Sequence, residues 1–340
     1  MHARILKAAL ALVAAIGFCQ SQCLAQEAIT LVGSGGSSPV PVFHIWGQEY
    51  NKRQPKIQME YLVLGTSESI AQISKGSGDF GGGDTPLTSQ QRTSGNLMEL
   101  PIMLMGLVPI YNVPGVHQEL RFSGRLLAQI YLGEVKTWNS PQIAQLNPNV
   151  TLPDLPIKVV HRTAGKGTNY IFTDFLSKSS SRFHELVGVN ISPNWPVGVA
   201  AERMSDMADK VKAEPGSIGY AELQYARDNN ITFGAVQNAA GNFVKASAES
   251  FTAACNAVEA PQWDKLSASL TNAPGANSYP LTSFSWVYVR TSSENPRRRA
   301  ALVDLLNWIL TNGQQMVPGG YSQLPPQLLV KVKGKVSSIQ

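Results

Sequence analysis

The feature that most constrains this chain is a strand that turns, within a few residues, into a helix. Ile157 to Val160 is a short, largely β-branched stretch, apolar except for Lys158, of the kind a strand has. Arg162-Thr163-Ala164-Gly165-Lys166-Gly167-Thr168 follows, and Ile171, Phe172, Phe175 and Leu176 then fall on one helical face. Gly165 and Gly167 permit a tight turn, so unpaired N–H groups at the helix start can converge on one point. Arg162 and Lys166 add positive charge there, which suits an anion. For any single turn of this kind the commoner outcome is an ordinary βα connection with two solvated cations. The G-x-x-x-x-G-K-[ST] spacing of a nucleotide loop is missing.

The pattern recurs three times. Ile29 to Val32 runs into Gly33-Ser34-Gly35-Gly36-Ser37-Ser38-Pro39, after which Val40, Phe43, Trp46 and Tyr50 keep helical spacing. Pro39 and Pro41 suit the first turn of that helix, and the small Ser37 and Ser38 leave N–H groups and hydroxyls accessible. Ile57 to Leu64 reads as the next strand, ahead of Gly65-Thr66-Ser67-Glu68-Ser69 and a helix carrying Ile70 and Ile73. Thr66 or Ser67 would cap it, and capping alone would explain either. The last turn, Asp79-Phe80-Gly81-Gly82-Gly83-Asp84-Thr85-Pro86, puts three glycines and Asp84 before a helix expected at Pro86, where Asp84 could be a plain N-cap.

Beyond these, Leu100 to Val113 is apolar and broken by Pro101 and Pro109, so it reads as buried strands. Arg121 to Leu132, Ala201 to Ala213 and Phe251 to Val258 read as helices, Leu281 to Val289 as a strand, and Ala300 to Leu310 as the last helix. Alternating strands and helices imply an α/β fold with mainly parallel sheets. With 340 residues and 43% hydrophobic content, two domains are favoured over one.

Arg4 and Lys7, the apolar stretch Ala8 to Phe18, and small or polar residues to Ala25 read as a secretory signal over residues 1–25. Its removal lowers the net charge from +5 to 5 − 2 = +3, too mild for a nucleic-acid binder. The mature chain keeps Cys255 alone and cannot form an intramolecular disulfide. Cys19 and Cys23 leave lipid anchoring as an alternative, although Phe18 and Gln22 match such processing poorly. Arg297-Arg298-Arg299 reads as solvated surface. No histidine has metal-ligand spacing, no G-x-S-x-G turn is present, and Ser38 interrupts a G-x-G-x-x-G fingerprint. Nothing in the sequence asks for a cofactor or for catalysis.

Taken together, Gly33 to Pro41, Asp79 to Pro86, Ile130-Tyr131-Leu132-Gly133, Arg162 to Phe175, Pro215 to Tyr225 and Asn272-Ala273-Pro274-Gly275 are specific. Over nearly the whole mature chain the sequence resembles the periplasmic phosphate-binding proteins that feed phosphate ABC transporters. The resemblance implies a two-lobed α/β periplasmic-binding-protein fold of type II, with mixed sheets flanked by helices and a ligand cleft between the lobes. Lobe 1 would span 26–107 and 283–340, and lobe 2 would span 108–282. The implied protein is a periplasmic monomer that captures inorganic phosphate and delivers it to an inner-membrane ABC permease, with no enzyme activity, cofactor or nucleic-acid partner.

Family ligand positions land on Ser37, Ser38, Thr66, Asp84, Arg162, Gly167 and Thr168, with Lys166 beside them. Asp84 would accept the proton that phosphate retains near neutral pH, and sulfate, which has none, would be rejected. Two departures stand out. The family commonly has an acidic residue two places after the arginine and a serine two further on, where this chain has Ala164 and Lys166, and a small residue where it has Glu68. The expectation is that Glu68 and Lys166 pair across the cleft. Other readings are a binder of another oxyanion or a phosphate ester, a secreted phosphatase, and a surface-attached adhesion protein.

Overall fold

The structure, a computed structural model, describes residues 28–258 and 266–340; the leader assigned to residues 1–25, with Cys19 and Cys23, lies outside the described residues. Strands β1 (Ile29–Gly35), β2 (Ile57–Val63) and β3 (Phe80–Gly83) alternate with helices α1 (Val40–Arg53), α2 (Thr66–Ser74) and α3 (Ser89–Thr93). After β4 (Leu97–Tyr111) come β5 (Arg121–Phe122), α4 (Gly124–Tyr131), α5 (Pro141–Leu146), β6 (Lys158–Arg162), α6 (Gly167–Ser179) and α7 (Ser181–Leu186). They are followed by β7 (Val199–Ala201), α8 (Met204–Ala213), β8 (Ser217–Glu222) and α9 (Leu223–Asp228). The remainder comprises β9 (Ala235–Gln237), β10 (Phe243–Val244), α10 (Ala248–Asn256), β11 (Thr282–Arg290), α11 (Pro296–Ile309), β12 (Tyr321–Ser322) and α12 (Pro326–Val336).

Nine strands form one mixed sheet in the order β2-β1-β3-β11-β4-β8-β6-β7, with β12 on β4, and β10-β9-β5 form a small second sheet. The parallel ladders lie towards its two ends: β1 with β2 and β3, and β6 with β7 and β8. The centre is antiparallel, because β11 brings the chain back between β3 and β4, and β4 runs against β8. The expected mainly parallel sheet is therefore a mixed one. β4 pairs with β11 as far as Gly106 and with β8 from Leu107, so two lobes share one strand.

β4 is a single fifteen-residue strand, nearly all buried, and its prolines do not break it. Pro101 falls where the β11 ladder shifts register between Ser285 and Trp286, a bulge that does not use its missing N–H. The Pro109 carbonyl accepts from Gly234 N at 3.1 Å, so its missing N–H faces that side and spares the β8 ladder.

Several element boundaries differ from the sequence reading. Arg121 and Phe122 are a strand, and the helix begins at Gly124 because Ser123 Oγ accepts from Leu126 N. The helix expected at Pro86 starts at Ser89, where Thr88 and Gln91 form a capping box, so Asp84 caps nothing. Ala201 ends a strand, and α12 follows the helix expected to be last. Arg298 is not solvated surface: it donates to Asp79 Oδ1 at 2.8 Å and to the Thr30 carbonyl at 2.7 Å.

Aromatic packing seats the cleft-facing helices. On α1 the helical spacing buries Phe43, Trp46 and Tyr50, and Trp46 Nε1 donates to the Gly313 carbonyl at 2.7 Å. On α6 it buries Phe172, which stacks on Tyr220 of β8 with ring centroids 4.2 Å apart. Truncating such a buried ring typically costs about 3–5 kcal/mol.

Candidate functional site

The turn ahead of α1 and the first turns of α2 and α6 converge on a cavity of about 100 Å³. Ser37, Ser38, Thr66, Asp84, Arg162, Lys166, Gly167 and Thr168 all line it. Four chain segments thus bring every residue expected at the ligand to one place. The starts of α2 and α6 carry backbone N–H groups without intrahelical partners and the positive end of the helix dipole.

Arg162 closes β6 and is 5% exposed. Its Nε donates to the Ala201 carbonyl at 3.3 Å and its Nη2 to the Glu202 carbonyl at 2.8 Å. Two of five guanidinium N–H donors fix the plane, and the others are left for a guest. Tyr220 holds this corner, accepting from Arg162 N at 3.2 Å and donating to Asn169 Oδ1 at 2.6 Å.

Thr66 does not cap α2, because Gly65 with φ 111° occupies the cap position. The hydroxyls of Thr66 and Thr168 are both buried with no partner among the described residues. A helical threonine usually donates to the carbonyl one turn back, but in a first turn that carbonyl lies off the helix. Leaving such groups unpaired costs roughly 1–3 kcal/mol each. Gly167 lets the lobes meet: a Cβ there would lie 2.8 Å from Thr66 Oγ1 and 3.0 Å from Asp84. Ser67 N reaches across the cleft to the Gly165 carbonyl at 3.3 Å.

Asp84 is 1% exposed. Its Oδ1 accepts from Ser285 Oγ at 3.0 Å, and its Oδ2 lies 2.6 Å from Ser38 Oγ. Burial pushes its carboxyl up to about 7; the Ser38 and Ser285 hydroxyls and Arg162 oppose the rise, and the charge of Glu222 adds to it. Near neutrality this side chain is poised between donor and acceptor.

Lys166 does not pair with Glu68. Its ammonium contacts the carboxylate of Glu202, while Glu68 sits exposed on α2 and accepts from Gln72 Nε2 at 3.2 Å. The expected bridge across the cleft is absent because Glu68, in the first turn of α2, faces solvent. Thr163 Oγ1 also donates to Glu202, at 2.6 Å, and these two partners hold the Glu202 carboxyl below the usual range. Glu202 therefore puts near Arg162 a negative charge that Ala164 cannot supply.

Sequence reasoning missed Glu202, Glu222 and Ser285. Glu202 follows β7, which lies parallel to β6, and the Arg162–Ala201 register that brings it close has no local sequence signal. Glu222 carried a weak signal, a carboxylate ending the buried run of β8.

Residues 22–312 match the family model described as the PBP superfamily domain. The phosphate-binding protein PstS of Xylella fastidiosa (strain 9a5c) is 35% identical over 309 residues, covering 90% of this chain and 85% of that protein. The PstS of Pasteurella multocida (strain Pm70) is 35% identical over 318 residues, covering 92% and 91%. Among solved structures, the high-affinity periplasmic phosphate-binding protein PfluDING, bound with phosphate, superposes with a TM-score of 0.71 at 17% identity, covering 90% of this chain and 93% of that one. The phosphate-binding protein from Stenotrophomonas maltophilia gives 0.66 at 16% identity, with coverage of 90% and 93%. The chain therefore belongs to the PBP superfamily and, within it, to the family of the PstS phosphate-binding proteins of phosphate ABC transporters.

Proposed function

We propose that this chain is an exported, periplasmic solute-binding protein that captures inorganic phosphate in the cleft and hands it to an inner-membrane ABC permease. The observation that carries the reading is a buried set of mismatched polar groups around one small cavity. A guanidinium with free donors and two unpaired hydroxyls, on Thr66 and Thr168, face a carboxyl on Asp84. A tetrahedral ion that accepts hydrogen bonds on most oxygens and donates one from a P–O–H satisfies every member. In this reading Arg162, Lys166, Ser37, Thr66, Gly167 and Thr168 donate, Ser38 donates through its backbone N–H, and Asp84 receives the ligand's proton. The cavity of about 100 Å³ favours a bare oxyanion over an ester.

Lobe 1 then comprises 26–107 and 283–340 and lobe 2 comprises 108–282, a division supported by the change of β4 partner at Gly106/Leu107. The protein acts as a monomer, and binding without catalysis accounts for every group in the site. Calorimetry of the mature protein against phosphate, arsenate, sulfate and a phosphomonoester tests this. Phosphate and arsenate should bind, and sulfate and the ester should bind far more weakly. Sulfate binding as tightly as phosphate would overturn the reading.

A further inference from the structure

Behind the anion cavity, Ser38 Oγ stands between two buried carboxyls. It lies 2.6 Å from Asp84 Oδ2 and 2.7 Å from Glu222 Oε1. A hydroxyl carries one hydrogen, so it can donate to one of these oxygens but not to both. The other short contact needs a proton on the carboxyl itself. Glu222 is 3% exposed, and no cation among the described residues pairs with it. Its neighbours include Asp84, Tyr220, Tyr225 and Tyr321, the last donating to the Ser38 carbonyl at 2.8 Å, while Asp228 and Arg203, the latter paired with Asp206, share a cavity lining with it. Asp84 in turn faces Arg162, Tyr61, Tyr288 and Ser285. Glu222 also borders a second cavity of about 310 Å³, beside Tyr225 and Tyr321.

We infer that Glu222 is a positioning residue for ligand capture: through the single hydrogen of Ser38 it decides whether Asp84 meets the ligand as an ionised acceptor or as a neutral carboxyl whose proton is spent on Ser38. When Ser38 donates to Glu222, Asp84 keeps a proton and points it at Ser38. When Glu222 holds that proton instead, it donates to Ser38, Ser38 donates to Asp84, and Asp84 is left as an acceptor. The change moves one proton from Asp84 to Ser38 Oγ and one from Ser38 Oγ to Glu222, so the charge of the cluster is constant. An ionised Glu222 competes for the Ser38 hydrogen and repels charge on Asp84, in line with the upward push on the Asp84 carboxyl.

The role rests on the phosphate reading, and the test separates the two. Phosphate affinity is measured for the parent and for Glu222→Gln from pH 8.5 to pH 6. The ratio of the two cancels the ligand's own ionisation. Glutamine can donate to Ser38 through its amide and carries no charge to push the Asp84 carboxyl up, so Asp84 should stay an acceptor to lower pH. The variant-to-parent ratio should then rise by about tenfold between pH 7.5 and pH 6, one pH unit below the Asp84 midpoint near 7. A ratio flat with pH, whether near one or uniformly low, would make Glu222 merely structural and overturn the inference. A parent that fails to bind phosphate at pH 8.5 would instead remove the phosphate reading. Should Glu222→Gln not fold, carboxyl-carbon NMR of the ligand-free parent decides. An Asp84 resonance with a midpoint near 7 and a concurrent response of the Glu222 resonance support the coupling, and an Asp84 transition that leaves the Glu222 resonance unmoved overturns it.

Discussion

Asp84→Asn should stabilise the ligand-free protein while damaging its function. The carboxyl is 1% exposed and is raised from the ordinary 3.8 to about 7, chiefly because burial disfavours the charge. Over that interval the folded state keeps a proton that the unfolded chain has already lost. Stability must therefore fall as pH rises from about 4 to about 7, and the full deficit persists above 7. The difference between 3.8 and about 7, at about 1.4 kcal/mol per pH unit, sets an upper limit of about 4 kcal/mol. Relaxation around the buried charge makes roughly 2–4 kcal/mol the working expectation. Asparagine reproduces the protonated form: its amide can donate to Ser38 Oγ while its oxygen accepts from Ser285 Oγ. Urea unfolding of phosphate-stripped protein, followed by circular dichroism at pH 5, 6, 7 and 8, should show the variant gaining on the parent as pH rises. With saturating phosphate the order should shrink or reverse, because the parent gains binding energy the variant lacks. Stability curves that run parallel from pH 5 to pH 8 would refute the argument.

Arg162→Ala should weaken phosphate binding by about 2–5 kcal/mol, the range for removing one partner of a buried charged contact; unchanged affinity in calorimetry would remove Arg162 from the site. Thr168→Val deletes a buried hydroxyl that has no partner among the described residues. Its melting temperature should hold or rise while affinity falls by about 1.5–3 kcal/mol, as for a lost hydrogen bond to a charged group, and a fall in both would mean the hydroxyl is structural. Glu202→Gln should release Lys166 and make phosphate binding more sensitive to salt, since the cation then meets the ligand unneutralised; a salt slope equal to the parent's would count against that. Glu68→Ala should leave affinity unchanged, because Glu68 contacts Gln72 and not the cleft; a loss beyond about 0.5 kcal/mol would reopen the interlobe pairing.

What could be read from the sequence was whatever repeats locally. Short apolar runs, glycine-rich turns and helical spacing placed β1, β2, α1, α2 and α6 to within a few residues, because local pattern and backbone sterics act over one or two turns. The same locality explains why Ser37, Ser38, Thr66 and Arg162 stood out, since each sits at a strand-to-helix turn where N–H groups are unpaired. Tertiary structure decided the rest. β4 is continuous through two prolines because the β11 ladder shifts register at Pro101 and Pro109 turns its missing N–H away from β8. The charge balance of the cleft was likewise settled by partners distant in sequence. Lys166 meets Glu202 because β6 and β7 run side by side, and Ser38 meets Glu222 across 184 residues because β8 ends behind α1. Pairing energies of buried polar groups depend on who arrives from elsewhere, and sequence spacing carries no record of that.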